Sequence, residues 1–399
     1  MRKIVLFIAL LLPSVIFSQP FTKNYIMSFH TCDAACVGFQ DHLVNLAESD
    51  DGSTWTLVPN FTPYSGSVPD VITRGSKLYV YTPGMVRRYD NSSGTWDTNP
   101  VPVSIVDNFG NSVSYVDPSA IIDSSGNIVL FFLNSTGLTG DPASCSPYPC
   151  DKNFDSAVEV SGSDGTQFIK QSGNRRVVNI TSGTASDPDI YFDGTNYILY
   201  VSRGSNTNAY SGSSMHGSYS SISGLPSDVL TSQGGIPCGY YNSSSNEYWT
   251  YVHANSGGSV VVKQAVHSTI SSQPATFNTV VSGPIIGEPS TTKTESPGFC
   301  ENLLTTGIHV NESSPSVQFQ FPNPVQEEWG GSVISQLDQA VVFTITDVTG
   351  KEMLSTRINL SKGKNTLLFD KHEFGSGIYF MRIVTSDEKV YSQKLVVVK

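Results

Sequence analysis

No long stretch of the 399-residue chain repeats its apolar residues with a helical period. Short β-rich runs dominate instead, such as Lys77-Leu-Tyr-Val-Tyr81, Asn127-Ile-Val-Leu-Phe-Phe132 and Tyr197-Ile-Leu-Tyr-Val201. Each is bounded by clusters of Gly, Asn, Asp or Ser, the pattern of strands separated by turns. The chain reads as all-β.

The strands fall into a repeat. Val68-Pro-Asp-Val-Ile-Thr-Arg-Gly-Ser-Lys-Leu-Tyr-Val-Tyr81 aligns without a gap on Asp187-Pro-Asp-Ile-Tyr-Phe-Asp-Gly-Thr-Asn-Tyr-Ile-Leu-Tyr200. Further copies begin at Asp117-Pro118, Ile236-Pro237 and Ser296-Pro297, so the prolines recur every 49 to 70 residues. Proline suits the start of a strand, where no ladder hydrogen bond is lost. Four of the five Pro strands are followed by a polar turn ending in an aromatic, as in Asn91-Ser-Ser-Gly-Thr-Trp96, Ser163-Asp-Gly-Thr-Gln-Phe168, His216-Gly-Ser-Tyr219 and Pro274-Ala-Thr-Phe277. The fifth has none, whereas Asp50-Asp-Gly-Ser-Thr-Trp55 stands near the N-terminus with no Pro strand before it. The chain start therefore supplies the missing part of the last repeat, as when the blades of a β-propeller close into a ring. The expectation is a five-bladed β-propeller over residues 19–310, with residues 42–57 pairing near 297–310. A sixth blade would need an unrecognised repeat, for instance between 118 and 188.

The C-terminal region differs in charge. Residues 319–399 carry nine basic and nine acidic residues, whereas the part between the leader and the tail carries 12 basic and 25 acidic. The Ser/Pro stretch Asn311-Glu-Ser-Ser-Pro-Ser-Val317 reads as a linker over 311–318. Beyond it, alternating runs such as Ala340–Asp347 and Gly377–Val384 predict a small Ig-like β-sandwich. Four segments, Phe321-Pro-Asn-Pro324, Asp347-Val-Thr-Gly-Lys351, Gly375-Ser-Gly-Ile-Tyr-Phe380 and Gln393-Lys-Leu-Val-Val-Val-Lys399, occur in order. In these the tail resembles the type A sorting domain of the Bacteroidetes type IX secretion system. That resemblance implies export across the outer membrane, interaction with the secretion machinery, and a mature protein released or anchored at the cell surface.

The N-terminus agrees with export. Arg2 and Lys3 precede an apolar run from Ile4 to Phe17, too short to span a bilayer and followed by Ser18-Gln19, so residues 1–18 read as a signal peptide. In an oxidising compartment the six cysteines read as disulfides. Count alone allows fifteen pairings, and proximity favours Cys32–Cys36 and Cys145–Cys150, leaving Cys238 with Cys300. A net charge of −11 argues against nucleic-acid partners and anionic membrane surfaces. The chain is expected to be a monomer.

No nucleophile elbow, P-loop or HExxH motif occurs. His42 and His253 read as ordinary core or rim residues. The chemical signal is the set of carboxylates on the Pro strands: Asp117, Asp187 and Glu295 at or beside the position before Pro, Asp70 and Asp189 after it. Residues two apart on a strand share a face, so these groups are expected to converge on one channel mouth. Carboxylates that converge raise one another's pKa, which makes an acid available. Asp beside Pro is also an ordinary turn residue, and for any single one of them that reading stands.

Here the centre resembles the five-bladed propellers of glycoside hydrolase family 43. Val116-Asp-Pro-Ser-Ala-Ile-Ile-Asp-Ser-Ser-Gly126 is similar to that family's strand carrying the pKa-tuning Asp, and Val68-Pro-Asp70 to its neighbour. Ser186-Asp187-Pro188 stands where the family has its general acid, and Glu295-Ser-Pro297 where it has its base; both depart from the family pattern. The resemblance implies Asp187 as acid, Asp117 tuning it, Glu295 as base, Asp70 nearby, and an inverting, furanosidase-type reaction on polysaccharide. The Asp50–Trp55 turn is similar to the Asp-box of sialidases, where it is a folding turn. The competing reading is a non-catalytic surface propeller that binds glycan or protein through Tyr240, Tyr241 and Trp249. No cofactor and no catalytic metal are expected; a structural Ca2+ is left open.

Overall fold

The computed structural model describes residues 21–32, 39–282, 293–304, 317–320, 329–335, 337–347, 351–369, 374–385 and 390–397. The expected signal peptide, Cys36 and the Phe321–Pro324 motif lie outside the described residues.

Between residues 21 and 304 the strands form five antiparallel-rich sheets. The first runs outward from Asp70–Arg74 through Lys77–Thr82 and Met85–Asp90 to Thr95–Trp96. The second begins with Tyr115–Ile122, the third with Ser186–Phe192, and the fourth with Gly235–Asn242. The fifth begins with Lys293–Glu301, whose neighbours outward are Tyr25–Cys32, Leu43–Ser49 and Thr56–Leu57. The five innermost strands pack against one another in cyclic order, the fifth returning to the first. This is a β-propeller.

The hydrophobic pattern explains the packing. Each sheet is covered on both faces by its neighbours, so a middle strand such as Ile128–Asn134 buries apolar side chains on both faces, without alternation. In Ile128–Asn134, Val129, Phe131 and Leu133 join the core against the third sheet, while Ile128, Leu130 and Phe132 join the core against the first. Burying one such side chain contributes roughly 1.5–3 kcal/mol.

The ring closes with strands from both ends of the chain. The direct partner of Lys293–Glu301 is Tyr25–Cys32, with Tyr25 opposite Glu301 and Cys32 opposite Lys293. Residues 43–49 stand one strand further out, paired with Tyr25–Cys32. The sequence reading located this sheet but missed its second strand, because Tyr25–Cys32 has no Pro or Gly signal of its own. Trp55 is buried between the fourth and fifth sheets and its indole N–H donates to the Gly52 carbonyl at 3.0 Å. Gly52 has φ +74°, and a Cβ there would come within 2.1 Å of the Trp249 ring, so the turn needs glycine. Asp51 organises the same turn: its carboxylate accepts the N–H groups of Ser53 (2.8 Å) and Thr54 (2.7 Å). Against the opposing effect of burial, these bonds hold its pKa down to about 2.

The expected pairing of Cys238 with Cys300 is not formed. Cys238 and Cys300 are free, buried thiols. Cys238 packs in the core between the fourth and fifth sheets and Cys300 in the core between the fifth and first, so the fifth sheet stands between them. Cys145 and Cys150 are joined as expected, and Cys32 is disulfide-bonded.

In the tail, Val317–Gln320, Trp329–Ser335 and Gly363–Phe369 form one antiparallel sheet. Glu352–Leu360, Gln339–Asp347, Gly377–Val384 and Val390–Val397 form a second. Val317 and Val333 of the first sheet share a core with Phe343, Ile345, Met381 and Leu395 of the second, which makes a sandwich. Its first strand begins inside the segment read as a linker.

Candidate functional site at the channel mouth

The innermost strands all enter the channel at the same end, and each carries its Pro there. The residue before Pro has positive φ in all five: Val68 (48°), Asp117 (53°), Asp187 (46°), Ile236 (44°) and Ser296 (56°). In four of the sheets the inner strand holds one more residue than its partner at this point, with register shifts between Val116 and Ser119, Ser186 and Asp189, Gly235 and Cys238, and across Glu295–Gly298. These are β-bulges, and they bend each strand as it enters the channel. Positive φ is costly for Val68 and Ile236, whose branched Cβ crowds the backbone. Five copies of one strained step encircling one opening are held in place by the surrounding sheets.

The bulge breaks the simple two-residue alternation, so the carboxylates divide into two tiers. The deeper tier is formed by the residues after Pro. Asp70 accepts the Ala120 N–H at 2.5 Å, Ser119 Oγ accepts the Ile190 N–H at 3.1 Å, and Asp189 accepts the Gly239 N–H at 2.8 Å. Each bond links one sheet to the next. Gly298 completes the tier from the fifth sheet: a Cβ there would lie 2.5 Å from Asp70 Oδ1. Burial, then the charge of Asp189, pushes Asp70 well above the usual carboxylate range. Burial pushes Asp189 up to about 7, opposed by the hydrogen bonds from Gly239 and Ser119.

The outer tier holds Asp117, Asp187 and Glu295. Asp117 Oδ2 accepts the Asp187 N–H at 3.1 Å, and Asp187 Oδ2 accepts the Ser186 hydroxyl at 2.5 Å. Burial, followed by the charge of Asp187, pushes Asp117 up strongly. Burial pushes Asp187 up to about 6; Ser186 and His30 oppose this, while Glu295 and Asp141 reinforce it. Glu295 goes the other way. Burial alone would raise it, but His30, His253 and His42 together hold it below the ordinary value.

Histidines are what the sequence reading missed here. Glu295 Oε2 lies 3.4 Å from His30 Nε2 and 3.9 Å from His253 Nδ1. His30 Nδ1 accepts the Val68 N–H at 3.2 Å, so the ring proton belongs on Nε2, facing Glu295. The His30 ring stacks on His42 with centroids 4.1 Å apart, and His42 Nδ1 meets Ser67 Oγ at 2.8 Å. Burial holds His42 and His253 below the usual imidazole value. The pairing of His30 with Glu295 and of His253 with Gly235 could have marked them, but that register exists only in the assembled ring. No group of three or more His, Cys, Asp or Glu among the described residues is arranged to hold a metal ion.

The channel itself is nearly closed. The five Pro steps and Asp70, Asp117, Ser119, Asp187 and Asp189 surround only about 20 Å3, room for about one water. The expected rim aromatics are not at this opening. Tyr240, Tyr241 and Trp249 lie toward the far end of the fourth sheet's inner hairpin, where Asn242 pairs with Glu247. Trp249 is buried against Tyr25, Tyr240 and Phe299, Tyr240 donates to Glu301, and Tyr241 packs on Tyr248 and donates to Asn246. Both faces of that hairpin are covered by neighbouring sheets, so Trp249 fills the core between the fourth and fifth sheets with Tyr240 packed against it, while Tyr241 packs half-buried at the edge of the core between the third and fourth.

Among solved structures, the chain is similar to an endo-1,4-beta-xylanase from Bacteroides thetaiotaomicron, with 15% identity over 65% of this chain and 91% of that one and a TM-score of 0.41. An endo-arabinase from the same organism shows 15% identity, covers 66% and 96% of the two chains and has a TM-score of 0.39. The GH43_1 enzyme from Xanthomonas citri, complexed with xylotriose, shows 14% identity, 62% and 89% coverage and a TM-score of 0.38. No curated protein matches the chain. Residues 320–398, however, match the family described as the secretion system C-terminal sorting domain, and so this protein ends in a type IX secretion sorting tail.

Proposed function

We propose that this is an exported propeller that acts on polysaccharide at the channel mouth, delivered to the cell surface or medium by its sorting tail and working as a monomer. The observation that carries the proposal is the divergence of two carboxyl groups at one opening: Asp187 is pushed up to about 6 while Glu295 is held low by imidazoles. Environments that separate two carboxyls in this way assign an acid and a base. In this reading Asp187 gives its proton to the glycosidic oxygen as the bond to the sugar carbon breaks. Glu295 takes a proton from the water that attacks that carbon from the opposite face, and the configuration inverts. Asp117 tunes Asp187 through its charge and its bond to the Asp187 N–H. Asp70 and Asp189, bonded to the next sheet's backbone, take the structural role. An inverting pair needs about 6.5–9.5 Å between its carboxyls.

The competing reading, a propeller that binds glycan without cleaving it, is favoured by a specific observation: the channel holds about 20 Å3, far less than a sugar ring requires. The two are separated by incubating the purified chain with arabinan, xylan and related polysaccharides and measuring released reducing ends. Hydrolysis that falls at least ~10²-fold in Asp187→Asn, with an unchanged melt, supports catalysis. Binding without release leaves the binding propeller, and release unaffected by the substitution refutes Asp187 as the acid.

A further inference from the structure

A second opening lies away from the channel. Between the second and third sheets is a cleft of about 580 Å3, the size of a small-molecule site. One wall is the edge strand Arg176–Ile180 of the second sheet; the other is Asn206–Gly212 with the turn at Ser227 and Asp228. Its inner end reaches toward the mouth, since Arg203 follows Ser202, which pairs with Ser186 beside Asp187.

The lining is polar and carries one positive charge in excess: Arg176 and Arg203 against Asp228. Arg176 is largely committed. Its guanidinium lies 4.1 Å over the Tyr210 ring, its Nη2 is 3.7 Å from Asp228, and its Nη1 donates to the Tyr219 carbonyl at 3.1 Å. Arg203 donates to the Thr184 carbonyl at 2.8 Å, and no carboxylate among the described residues lies within ion-pair distance of it. Arg176 Nε and Asn208 Oδ1 also lack a hydrogen-bond partner among the described residues, but both atoms are shielded from solvent and are not presented to the cleft.

We infer that the cleft binds an anionic saccharide, a glycan unit bearing a carboxylate. The spare guanidinium of Arg203 offers the planar fork that matches a carboxylate. The amide and hydroxyl groups of the lining, among them Asn179, Ser182, Thr184 and Asn206, offer partners for ring hydroxyls. The chain's net charge of −11 opposes this only at long range, and physiological salt screens it beyond ~8 Å. The inference is independent of hydrolysis at the mouth.

The test is isothermal titration calorimetry of the full chain with galacturonate and glucuronate trimers and with their neutral methyl esters. An acidic trimer of either kind should bind at least about tenfold more tightly than its ester. Arg203→Gln should remove that preference. Arg203→Lys, which keeps the charge but not the fork, should retain part of it. If Arg203→Gln fails to fold, the acid-against-ester comparison and Arg203→Lys decide the matter. Equal affinity for acid and ester, no binding of either acid, or an unaltered preference in both Arg203 variants overturns the inference.

Discussion

Removing residues 21–60 should abolish the fold of the whole propeller, not only of its fifth sheet. The deletion takes away three of the four strands on that sheet's main path and leaves Lys293–Glu301 without its ladder partner. It also strips both faces at once. Ile26, Val44, Leu46 and Val58 leave the core shared with the first sheet, and Met27, Phe29 and Trp55 leave the core shared with the fourth. At roughly 1.5–3 kcal/mol for each buried side chain, these seven residues amount to about 10–20 kcal/mol. Native domains are stable by only about 5–15 kcal/mol, so no other part of the ring can absorb the loss. The open ring would also expose two sheet edges, which invites aggregation. The assay is a thermal melt followed by circular dichroism, with size-exclusion chromatography of the truncated chain. A monomer that keeps a cooperative transition near the full-length temperature would refute the closure argument. Phe299→Ala is a milder probe of the same seam: its ring contacts Tyr240, Tyr251 and Trp55, and its loss should cost about 3–5 kcal/mol.

The deeper tier makes stability depend on pH. Asp189 has its pKa raised to about 7, so the neutral form favours the folded state; its contribution is full below the unfolded value near ~4 and is lost as pH rises through about 7. Wild type should therefore melt at a lower temperature at pH 8 than at pH 5, and Asp189→Asn should flatten that slope; an unchanged slope would count against it. Thiol titration should find Cys238 and Cys300 unreactive in the native protein and available after unfolding without reductant, whereas their absence from the unfolded protein would mean that they pair. Deleting 319–399 should leave the purified propeller folded, with its ligand binding intact, but retained inside the outer membrane of a type IX-secreting host. Surface display of that deletion would contradict the role of the tail.

Local chemistry alone determined much of this protein. Proline can stand only where a ladder bond is dispensable, so Pro69, Pro118, Pro188, Pro237 and Pro297 mark the innermost strand of each sheet, although all but Pro69 sit at a bulge within the strand and not at its start as expected. The unpaired Asp50–Trp55 turn signalled that the ring is sealed by the chain's two ends, and the tail motifs signalled export. The site was legible only as a list of carboxylates. Their division into two tiers depends on bulges at positive-φ positions, and nothing in a dipeptide such as Asp187-Pro188 reveals the extra residue relative to a strand 14 residues away. The cysteines needed the same information: Phe299 and Cys300 are adjacent in sequence yet belong to cores on opposite faces of one sheet. Tyr240 and Trp249 read as binding aromatics because composition cannot distinguish a rim ring from one sandwiched between sheets. His30 drew no notice, since its role depends on lying opposite Glu295, 265 residues away in the chain. Sequence sets what each strand can be; which side chains meet across sheets is decided by register and ring closure, and those exist only once the chain has folded.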